Sequence, residues 1–595
     1  MRRNKRSILA RKRTAALSVL LTALSVSGSA ATWTKLTNPT LDGGQAYQMH
    51  LLTDGTVMIQ NGTSQNWMRL APDANGSYIN GNWTSNPISP MSTRRFSFPS
   101  ELLPSGKLWV LGGEDYGPNG DAVWTPTGEI WDPVANSWSP IATFPPQACF
   151  GITFNVTGDT TSGSPVIANI PTVVTPGFVV GWTVNGPGIP AGATIVSIDS
   201  TSQIHISINA TATQTGAALQ FSGTPVSCFG DVPTALLEGG RILAGSLVSG
   251  ASYLYDIATD SWTFAANKVY YDSSDEEGWA RLADGRILTY DLGQSVNSGQ
   301  SYAEVYDPVA NTWSSISPAD GTAKGTLPLL SSAAVDYELG PSLRLLDGRI
   351  FLIGATGHTA LYTPSSNTWA AGPDIIGTLN GQPALFGADD APAAIMPNGH
   401  VLLAADAGPT LGEYSPPTQL FDFNPVANTI SAISPALMDP FLNTNAYQMS
   451  MLALPTGQLL FSDGSYQLWV YTPDGTASPA YQPVSTNFVY NGHGVFTLTG
   501  KQLTGQSAGA AYGDDAEMDE NYPVVRLVAS TGKIYYCRTT NWSSVGVATG
   551  SEVETVNVTL NPAVTPGNYA LITSAAGISS FPVVVNITQA EVNGQ

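Results

Sequence analysis

Acidic residues recur at a fixed distance before glycines that stand between two apolar runs of the sequence. Eight to ten residues before Gly240, Gly285, Gly348 and Gly399 stand, in chain order, Asp231, Glu276 with Glu277, Glu338, and Asp389 with Asp390. Carboxylate oxygens are the ligands that Ca²⁺ prefers, so gathering these acids would create a cation site. As candidate metal ligands we select Asp231, Glu277, Glu338 and Asp390. The alternative is that these are solvated loop acids in a chain that carries 44 acidic residues.

A second acidic run lies much later in the chain. It contains Asp514, Asp515, Glu517, Asp519 and Glu520. By itself such a run is more typical of an exposed loop than of a metal site.

Aromatic, amide and basic side chains occupy similar positions before the glycines or next to the acids. They are Tyr47 and Gln48, Arg94 and Arg95, Trp279, Tyr337, and Tyr447 and Gln448. Aromatic rings suit stacking on sugars, and the polar groups suit hydrogen bonding. We therefore name these residues as candidate binding positions for a glycan or an extracellular protein.

The glycines belong to a repeat that runs through most of the chain. An apolar strand, a tight glycine turn and a second apolar strand follow one another around Gly55, Gly106, Gly240, Gly285, Gly348, Gly399 and Gly457. Asp-Gly and Asn-Gly between apolar runs favour hairpins because the turn needs a positive φ. A second phrase, such as EVYDPVANTW, adds two more strands. Four strands repeated about every 50 residues predict a seven-bladed β-propeller over 31–151 and 228–479, whose last blade is closed by the strand at 31–37.

Two further units interrupt or follow the repeat. The tripeptide Cys149-Phe150-Gly151 recurs as Cys228-Phe229-Gly230, and the stretch 152–227 between them is typical of a small inserted β module with adjacent ends. Adjacent ends favour a Cys149–Cys228 disulfide, although two buried thiols are the alternative. After about residue 480 the repeat stops, and strand-like runs over 480–595 predict a C-terminal immunoglobulin-like β-sandwich. The predicted fold class is all-β throughout.

Composition and charge exclude some classes of function and indicate where the protein acts. The formal net charge is −21, and so acidic a protein repels phosphate backbones and anionic lipids, which excludes nucleic acid as a partner. Residues 1–30 join a basic segment to a short apolar run and small residues, the pattern of a cleaved signal peptide. We therefore expect a secreted, periplasmic or cell-surface protein, monomeric, with no membrane span after cleavage.

The signal peptide, the kelch-type repeats and the final domain together resemble the galactose oxidase and glyoxal oxidase superfamily. That resemblance implies a copper site made of two tyrosines, one of them cross-linked to a cysteine, and two histidines. Cys228 and Tyr447 match that pattern, but Glu277-Gly278-Trp279 stands where the cross-linked tyrosine belongs, and Gln448 stands in place of a histidine. Carboxylates hold copper poorly, so we expect no copper.

The same resemblance also implies that a loop of the C-terminal domain enters the propeller channel. The loop at that place reads DDAEMDEN, with no histidine. If this docking is kept, Asp515, Glu517 and Asp519 join the first group of acids in a calcium-type site, because gathered carboxylates repel unless a cation neutralises them.

Three hypotheses on function follow from these patterns. The first is an exported propeller, non-enzymatic or catalytically reduced, that binds a glycan or a protein at its mouth, with or without a calcium-type cation. The second is a galactose oxidase-like oxidoreductase that acts on a primary alcohol or an aldehyde. The third is a matrix component in which the module at 152–227 mediates adhesion.

Overall fold

The structure is a computed structural model that describes residues 30–84, 88–116, 122–145, 153–170, 180–200, 202–222, 228–433, 443–509 and 521–594. The fold is all-β, as the sequence predicts. The helical segments of the described residues are short: Leu292–Ser298, Gly408–Leu411 and Gln589–Val592 are α-helical, and Leu41–Gly43, Ala333–Val335, Ala446–Gln448 and Pro479–Tyr481 are 3₁₀ turns. The predicted signal peptide lies almost wholly outside the described residues.

Six sheets follow one another along the chain. In each of them, four antiparallel strands lie side by side in chain order. Sheet 1 contains Ala46–Leu51, Val57–Asn61, Trp67–Ala71 and Asn82–Trp83. Sheet 2 contains Ser100–Leu102, Leu108–Leu111, Gly128–Asp132 and Ser137–Pro140. Sheet 3 contains Thr234–Leu237, Arg241–Ala244, Ala251–Asp256 and Ser261–Asn267. Sheet 4 contains Trp279–Arg281, Ile287–Asp291, Tyr302–Asp307 and Thr312–Ser315. Sheet 5 contains Leu339–Arg344, Ile350–Gly354, Thr359–Thr363 and Thr368–Ala371. Sheet 6 contains Ala393–Ile395, Val401–Ala405, Gln419–Asn424 and Thr429–Ala432.

Short strands extend this pattern. Lys324–Gly325 adds a parallel fifth strand to sheet 5. Two small hairpins lie beside the sheets, formed by Glu114–Tyr116 with Ala122–Trp124 and by Ile376–Leu379 with Gln382–Leu385.

Sheet 7 joins the two ends of the repeat. Its first three strands are Ser450–Ala453, Leu459–Ser462 and Trp469–Thr472, and its outer strand is the N-terminal Thr32–Lys35. Trp33 is buried between Phe461 and Tyr471, with ring centroids 5.5 Å and 4.6 Å away. The N-terminal strand therefore covers what would otherwise be an open sheet edge.

The turn glycines join the first and second strands of the seven sheets. All seven have φ between 74° and 92°, a left-handed conformation that glycine adopts without steric cost. The hairpins predicted at these glycines are therefore confirmed.

Neighbouring sheets pack through their first strands. The first strand of sheet 7 packs against those of sheets 1 and 6, and contacts of the same kind join sheets 2 to 3, 3 to 4 and 4 to 5. Gln48 of sheet 1 donates to the Phe98 carbonyl and the Ser100 hydroxyl of sheet 2, both at 3.2 Å. The Asp390 amide, which leads into sheet 6, donates to the Leu339 carbonyl of sheet 5 at 3.3 Å. Each sheet thus contacts a neighbour on both sides.

The predicted insert region forms a separate sheet of six strands. Their spatial order is Thr183–Asn185, Gln214–Ser222, Thr153–Thr160, Val166–Ala168, Gln203–Ile206 and Ile195–Ser200. This sheet has its own apolar cluster, which includes Trp182, Ile204 and Phe221. Cys228, just beyond it, is buried and disulfide-bonded, whereas its predicted partner Cys149 lies outside the described residues.

The C-terminal strands form one curled sheet. Their order is Val484–Gly492, Val495–Lys501, Glu554–Thr559, Ile534–Thr540, Val524–Ala529, Gly567–Ala575 and Ile578–Ser579, and Val583–Ile587 also pairs with Gly567–Ala575. Ile534–Thr540 pairs through its two halves with different neighbours, so one strand runs through both parts of the sheet. The immunoglobulin-like assignment of this region stays a prediction.

The C-terminal sheet lies against the turn ends of the repeat sheets. Glu238 accepts hydrogen bonds from the amides of Val545 and Gly546 at 2.8 Å and 3.1 Å. A Cβ on Gly55 would lie 2.3 Å from the Tyr536 ring, so only glycine permits this close approach. The turn ends of several repeat sheets are therefore covered, and the opposite ends of the first strands remain available for a site. No helix of the described chain has the length and hydropathy needed to cross a membrane.

Candidate functional site

The segments that lead into the first strands share an uncommon backbone conformation. Ser97, Asp231, Glu276, Tyr337 and Asp390, from sheets 2 to 6, have φ between 48° and 70°. Each non-glycine residue in this region costs about 1 kcal/mol or more, and such residues concentrate at functional sites. Hydrogen bonds link the segments, since the Glu276 amide donates to the Asp231 carbonyl at 2.8 Å. The fold therefore gathers five residues with this conformation around one place.

That place is a cavity of about 820 Å³. Residues from sheets 2 to 7 line it, and its acids are Asp231, Asp272, Asp275, Glu276, Asp336, Glu338 and Asp390. Aromatic rings line it as well, among them Trp124, Tyr337, Tyr414 and Tyr447. No lysine, arginine or histidine is found among the described lining residues. The cavity is thus acidic and partly aromatic.

Two groups of three carboxylates meet in this cavity. Ligand oxygens of Glu276, Glu338 and Asp390 all lie within 4.8 Å of one another, and the same holds for Asp231, Asp275 and Glu276. Separations of this size suit joint coordination of a hard cation. Glu276 belongs to both groups.

Glu338 is a buried carboxyl group in an environment that disfavours its charge. Its side chain is buried, with 7% of the residue exposed, and no donor of the described residues lies within hydrogen-bonding distance of its Oε2. Burial, followed by the charge of Asp390 and a hydrogen bond with it, raises the pKa of Glu338 to about 12. A carboxyl group in this state is neutral at pH 7 unless a cation replaces its proton.

Tyr414 lies beside this pair of acids. Its hydroxyl donates to Asp390 Oδ2 at 2.7 Å, and its ring packs edge-on against Tyr447 at a centroid distance of 4.8 Å. Burial and the nearby charges of Asp390 and Glu338 raise the pKa of Tyr414 far above its usual value. Tyr414 is therefore a fixed, neutral hydrogen-bond donor.

Other aromatic side chains of the cavity also carry polar contacts. The Trp124 indole donates to Asp231 Oδ2 at 2.7 Å. The Tyr337 hydroxyl donates to Asn297 Oδ1 at 3.3 Å. Rings with one polar edge are suited to sugar recognition, because one face stacks while the edge donates a hydrogen bond.

A second pair of acids lies behind the cavity wall. Asp389 and Asp406 are fully buried and hydrogen-bonded to each other, and burial followed by the charge of Asp389 raises the pKa of Asp406 to about 9. Asp389 Oδ2 accepts from the Tyr414 amide at 2.7 Å, and Asp406 Oδ1 accepts from the Gly408 amide at 2.9 Å. This pair holds the segment that carries Tyr414.

The structure places Glu277 away from the cavity lining. Its carboxylate forms a buried ion pair with Lys268, and it accepts a hydrogen bond from the Trp279 indole at 3.2 Å. Trp279 packs against Trp313 in an apolar cluster of sheets 3 and 4, so it is a core residue and does not line the cavity. The neighbouring Glu276 occupies the cavity position that we expected for Glu277.

Lys268 is the centre of this buried ionic group. It also pairs with Asp272 at 3.2 Å and Asp291 at 3.3 Å. Burial opposes its charge, but the charges of Glu277, Asp291 and Asp272 outweigh that effect and raise the Lys268 pKa. Burial raises the pKa of Glu277 to about 8, although the Lys268 charge lowers it.

The remaining predicted ligand-binding residues divide between the cavity and the packing of the sheets. Tyr337 and Tyr447 line the cavity, and Gln448 donates to the Tyr447 hydroxyl at 3.1 Å. Arg95 is fully buried in an ion pair with Glu129 at 3.1 Å.

Three other predicted positions make contacts near the first two sheets. Arg94 donates to the Thr63 hydroxyl at 3.1 Å, Tyr47 packs against Phe96 at 5.3 Å, and Gln48 links sheets 1 and 2. Asp515, Glu517 and Asp519 lie outside the described residues.

Sequence reasoning missed Trp124, Asp275 and Tyr414 as site residues. Trp124 and Tyr414 come from the connections between the second and third strands of sheets 2 and 6, not from the segments that lead into the sheets. Their distances from the turn glycines differ, so no fixed spacing identifies them. Asp275 precedes Glu276 directly and lies ten residues before Gly285, so the spacing of eight to ten residues already includes it.

No protein-family model matches the chain, and no curated protein does. Among solved structures, a fungal alcohol oxidase of the AA5 family in complex with copper is 12% identical, with a TM-score of 0.44, and the match covers 94% of this chain and 100% of that one. YCF48 bound to a D1 peptide is 14% identical, with a TM-score of 0.36 and coverage of 76% and 98%. The extracellular domain of a putative hybrid two-component system of B. thetaiotaomicron is 11% identical, with a TM-score of 0.39 and coverage of 94% and 59%. None of these likenesses assigns an activity to this chain.

The described residues do not fit a copper site of the galactose oxidase kind. Copper prefers imidazole and thiolate ligands, and the described cavity lining offers carboxylates and phenols. Cys228 is disulfide-bonded and so has no thiolate for a cross-link to tyrosine. Gln448 stands where that site needs a histidine.

Proposed function

We propose that this protein is an exported β-propeller that binds a hard divalent cation, with Ca²⁺ the best match, in its central cavity and recognises a glycan there. We infer that the seven sheets are the blades, that 152–227 is a module inserted between two of them, and that 480–595 is an immunoglobulin-like domain. The contacts between successive first strands and the N-terminal strand in sheet 7 support the closed ring.

One observation carries the cation part of the proposal. Glu276, Glu338 and Asp390 bring carboxylate oxygens within 4.8 Å of one another in a cavity where Glu338 is nearly inaccessible to solvent. Burying charged carboxylates together is costly unless a cation or a proton neutralises them. A divalent ion coordinated by all three would supply that charge and would give Glu338 Oε2 a partner.

The glycan part is supported by what surrounds the acids. Tyr337, Tyr414 and Tyr447 present rings and hydroxyls to a cavity large enough for a small saccharide. A bound Ca²⁺ keeps free coordination positions when only three carboxylates hold it, and sugar hydroxyls are oxygen ligands of the kind it accepts. The ion would therefore form part of the recognition surface.

The test uses the full mature chain, freed of metal with chelator and then titrated with Ca²⁺ by isothermal calorimetry. We expect saturable binding that Glu338→Gln weakens at least tenfold, whereas Asp307→Asn, at a partly exposed residue outside the cavity lining, leaves it unchanged. A glycan array probed with and without Ca²⁺ then tests recognition. Hits that disappear in chelator support the proposal, and an array without hits would overturn the glycan part and direct the search to a protein partner.

A further inference from the structure

We infer that the cavity holds two divalent cations side by side, bridged by the carboxylate of Glu276. This inference rests on the proposed cation binding and extends it from a single ion to a two-ion centre. It concerns five carboxylates: the first ion position is formed by Glu276, Glu338 and Asp390, and the second by Asp231, Asp275 and Glu276.

Glu276 is placed between the two ion positions. Its ligand atoms lie within 4.8 Å of those of both pairs of partners, so one residue takes part in two coordination positions. Its φ of 56° and its amide hydrogen bond to the Asp231 carbonyl fix the backbone between the two positions. A carboxylate has two oxygens and can therefore bridge two hard cations.

The second feature is the buried oxygen of Glu338. Glu338 lines the same cavity, and no donor of the described residues reaches its buried Oε2. Unpartnered buried oxygens are rare in native proteins, because each loses its hydration without compensation. A cation in the first position removes this cost.

Charge balance is the third feature. Once cations have displaced the protons, the five carboxylates carry five negative charges; one divalent ion would leave three of these charges, and two ions would leave one. The Trp124 indole orients Asp231 through its 2.7 Å hydrogen bond, and Tyr414 does the same for Asp390. Both outer acids are thus oriented by neutral donors.

A two-ion centre also defines the ligand more closely. Two hard cations that share a carboxylate are about 3.5–4 Å apart, and neighbouring hydroxyls of a saccharide can coordinate both at once. We therefore expect a preference for saccharides with vicinal hydroxyls over deoxy analogues. The aromatic rings of Tyr337 and Tyr447 would lie at the sides of such a ligand.

The experiment loads the metal-free full mature chain with Mn²⁺ as the probe. Bound metal is counted by mass spectrometry after desalting, and electron paramagnetic resonance reports whether the ions interact. Wild-type protein should hold two Mn²⁺ with a spectrum broadened by exchange coupling. Asp390→Asn and Asp275→Asn should each hold one ion with a six-line spectrum, and Glu276→Gln should lose most binding of both. Asp307→Asn, with the same charge change outside the cavity, should hold two.

The possible results separate the two proposals. A single ion in wild-type protein, lost in Asp390→Asn and kept in Asp275→Asn, overturns the two-ion inference and leaves the proposed cation binding standing. No bound ion in a chain that unfolds cooperatively overturns both. Two ions without coupling, both retained in Glu276→Gln, contradict the bridge.

Discussion

The hydroxyl of Tyr414 donates a 2.7 Å hydrogen bond to Oδ2 of Asp390 across two separate segments of sheet 6. Asp390 ends the segment that leads into the sheet, whereas Tyr414 comes from the connection between its second and third strands. The bond orients the carboxylate toward Glu338 and Glu276, and Tyr447 supports the phenol ring from sheet 7. Tyr414 thus connects the acidic centre of the cavity to its aromatic wall.

Tyr414→Phe tests this relationship. The substitution keeps the ring and removes the donor to a buried carboxylate, so the metal-free protein should lose about 1.5–3 kcal/mol of unfolding free energy. Tyr337→Phe removes a longer hydrogen bond to Asn297 and should cost about 0.5–1.5 kcal/mol. Urea unfolding in chelator measures both. Equal losses in the two variants would contradict a special role for Tyr414.

The pH dependence of stability tests the state of Glu338. Its pKa rises from 4.5 to about 12 on folding, so it stabilises the metal-free fold fully below about pH 4.5, and this contribution is lost as the pH rises toward 12. Asp406, with a pKa of about 9, acts in the same direction. Unfolding free energy in chelator should therefore fall between pH 5 and pH 9.

Glu338→Gln should flatten that fall by up to about 1.4 kcal/mol per pH unit, and saturating Ca²⁺ should flatten it in the wild type. Cation affinity should increase with pH, because the ion displaces a proton. A slope that is unchanged in Glu338→Gln would show that this carboxyl is not the titrating group.

Lys268 provides a test of the buried ionic group beside the cavity. Lys268→Met would leave Glu277 and Asp291 buried without their cation, and breaking such a group costs about 3–5 kcal/mol. The control is Lys107→Met, which removes a partly exposed pair with Asp132 and should cost less than about 1 kcal/mol. Chemical unfolding at neutral pH distinguishes the two. A Lys268 variant as stable as the control would contradict the assigned ion pairs.

The N-terminal strand provides a test of ring closure. Trp33 is 9% exposed and packs on Phe461 and Tyr471, so Trp33→Ala should cost about 3–5 kcal/mol. The exposed Thr32→Ala on the same strand should change stability by no more than about 0.5 kcal/mol. If Trp33→Ala were as mild as Thr32→Ala, the N-terminal strand would contribute little to the stability of sheet 7.

The sequence predicts the hairpins and the general location of the site for a clear physical reason. A turn glycine fixes one end of each first strand, so residues at a constant distance before it lie at the other end. Asp231, Glu338 and Asp390 follow this rule and line the cavity. The all-β class follows from the same repeats.

Which member of an acidic pair faces the cavity could not be predicted from spacing. Glu276 and Asp390 are the left-handed members of their pairs, and they line the cavity, while Glu277 and Asp389 point into buried polar networks. The backbone conformation decides this, and the preference of Asp and Asn for a positive φ is too weak to tell which of two adjacent acids adopts it. Lys268, which pairs with Glu277, directly follows the last strand of sheet 3, so this contact also depends on the neighbouring sheet.

A crystal structure of the full mature chain grown with Mn²⁺, examined by anomalous scattering, tests the central claim most directly. We predict an anomalous peak within coordination distance of Glu276, Glu338 and Asp390, with a second peak beside Asp231 and Asp275 if the centre holds two ions. Density for Mn²⁺ only at exposed acids, with the cavity carboxylates uncoordinated, would contradict the claim that this cavity is a cation site.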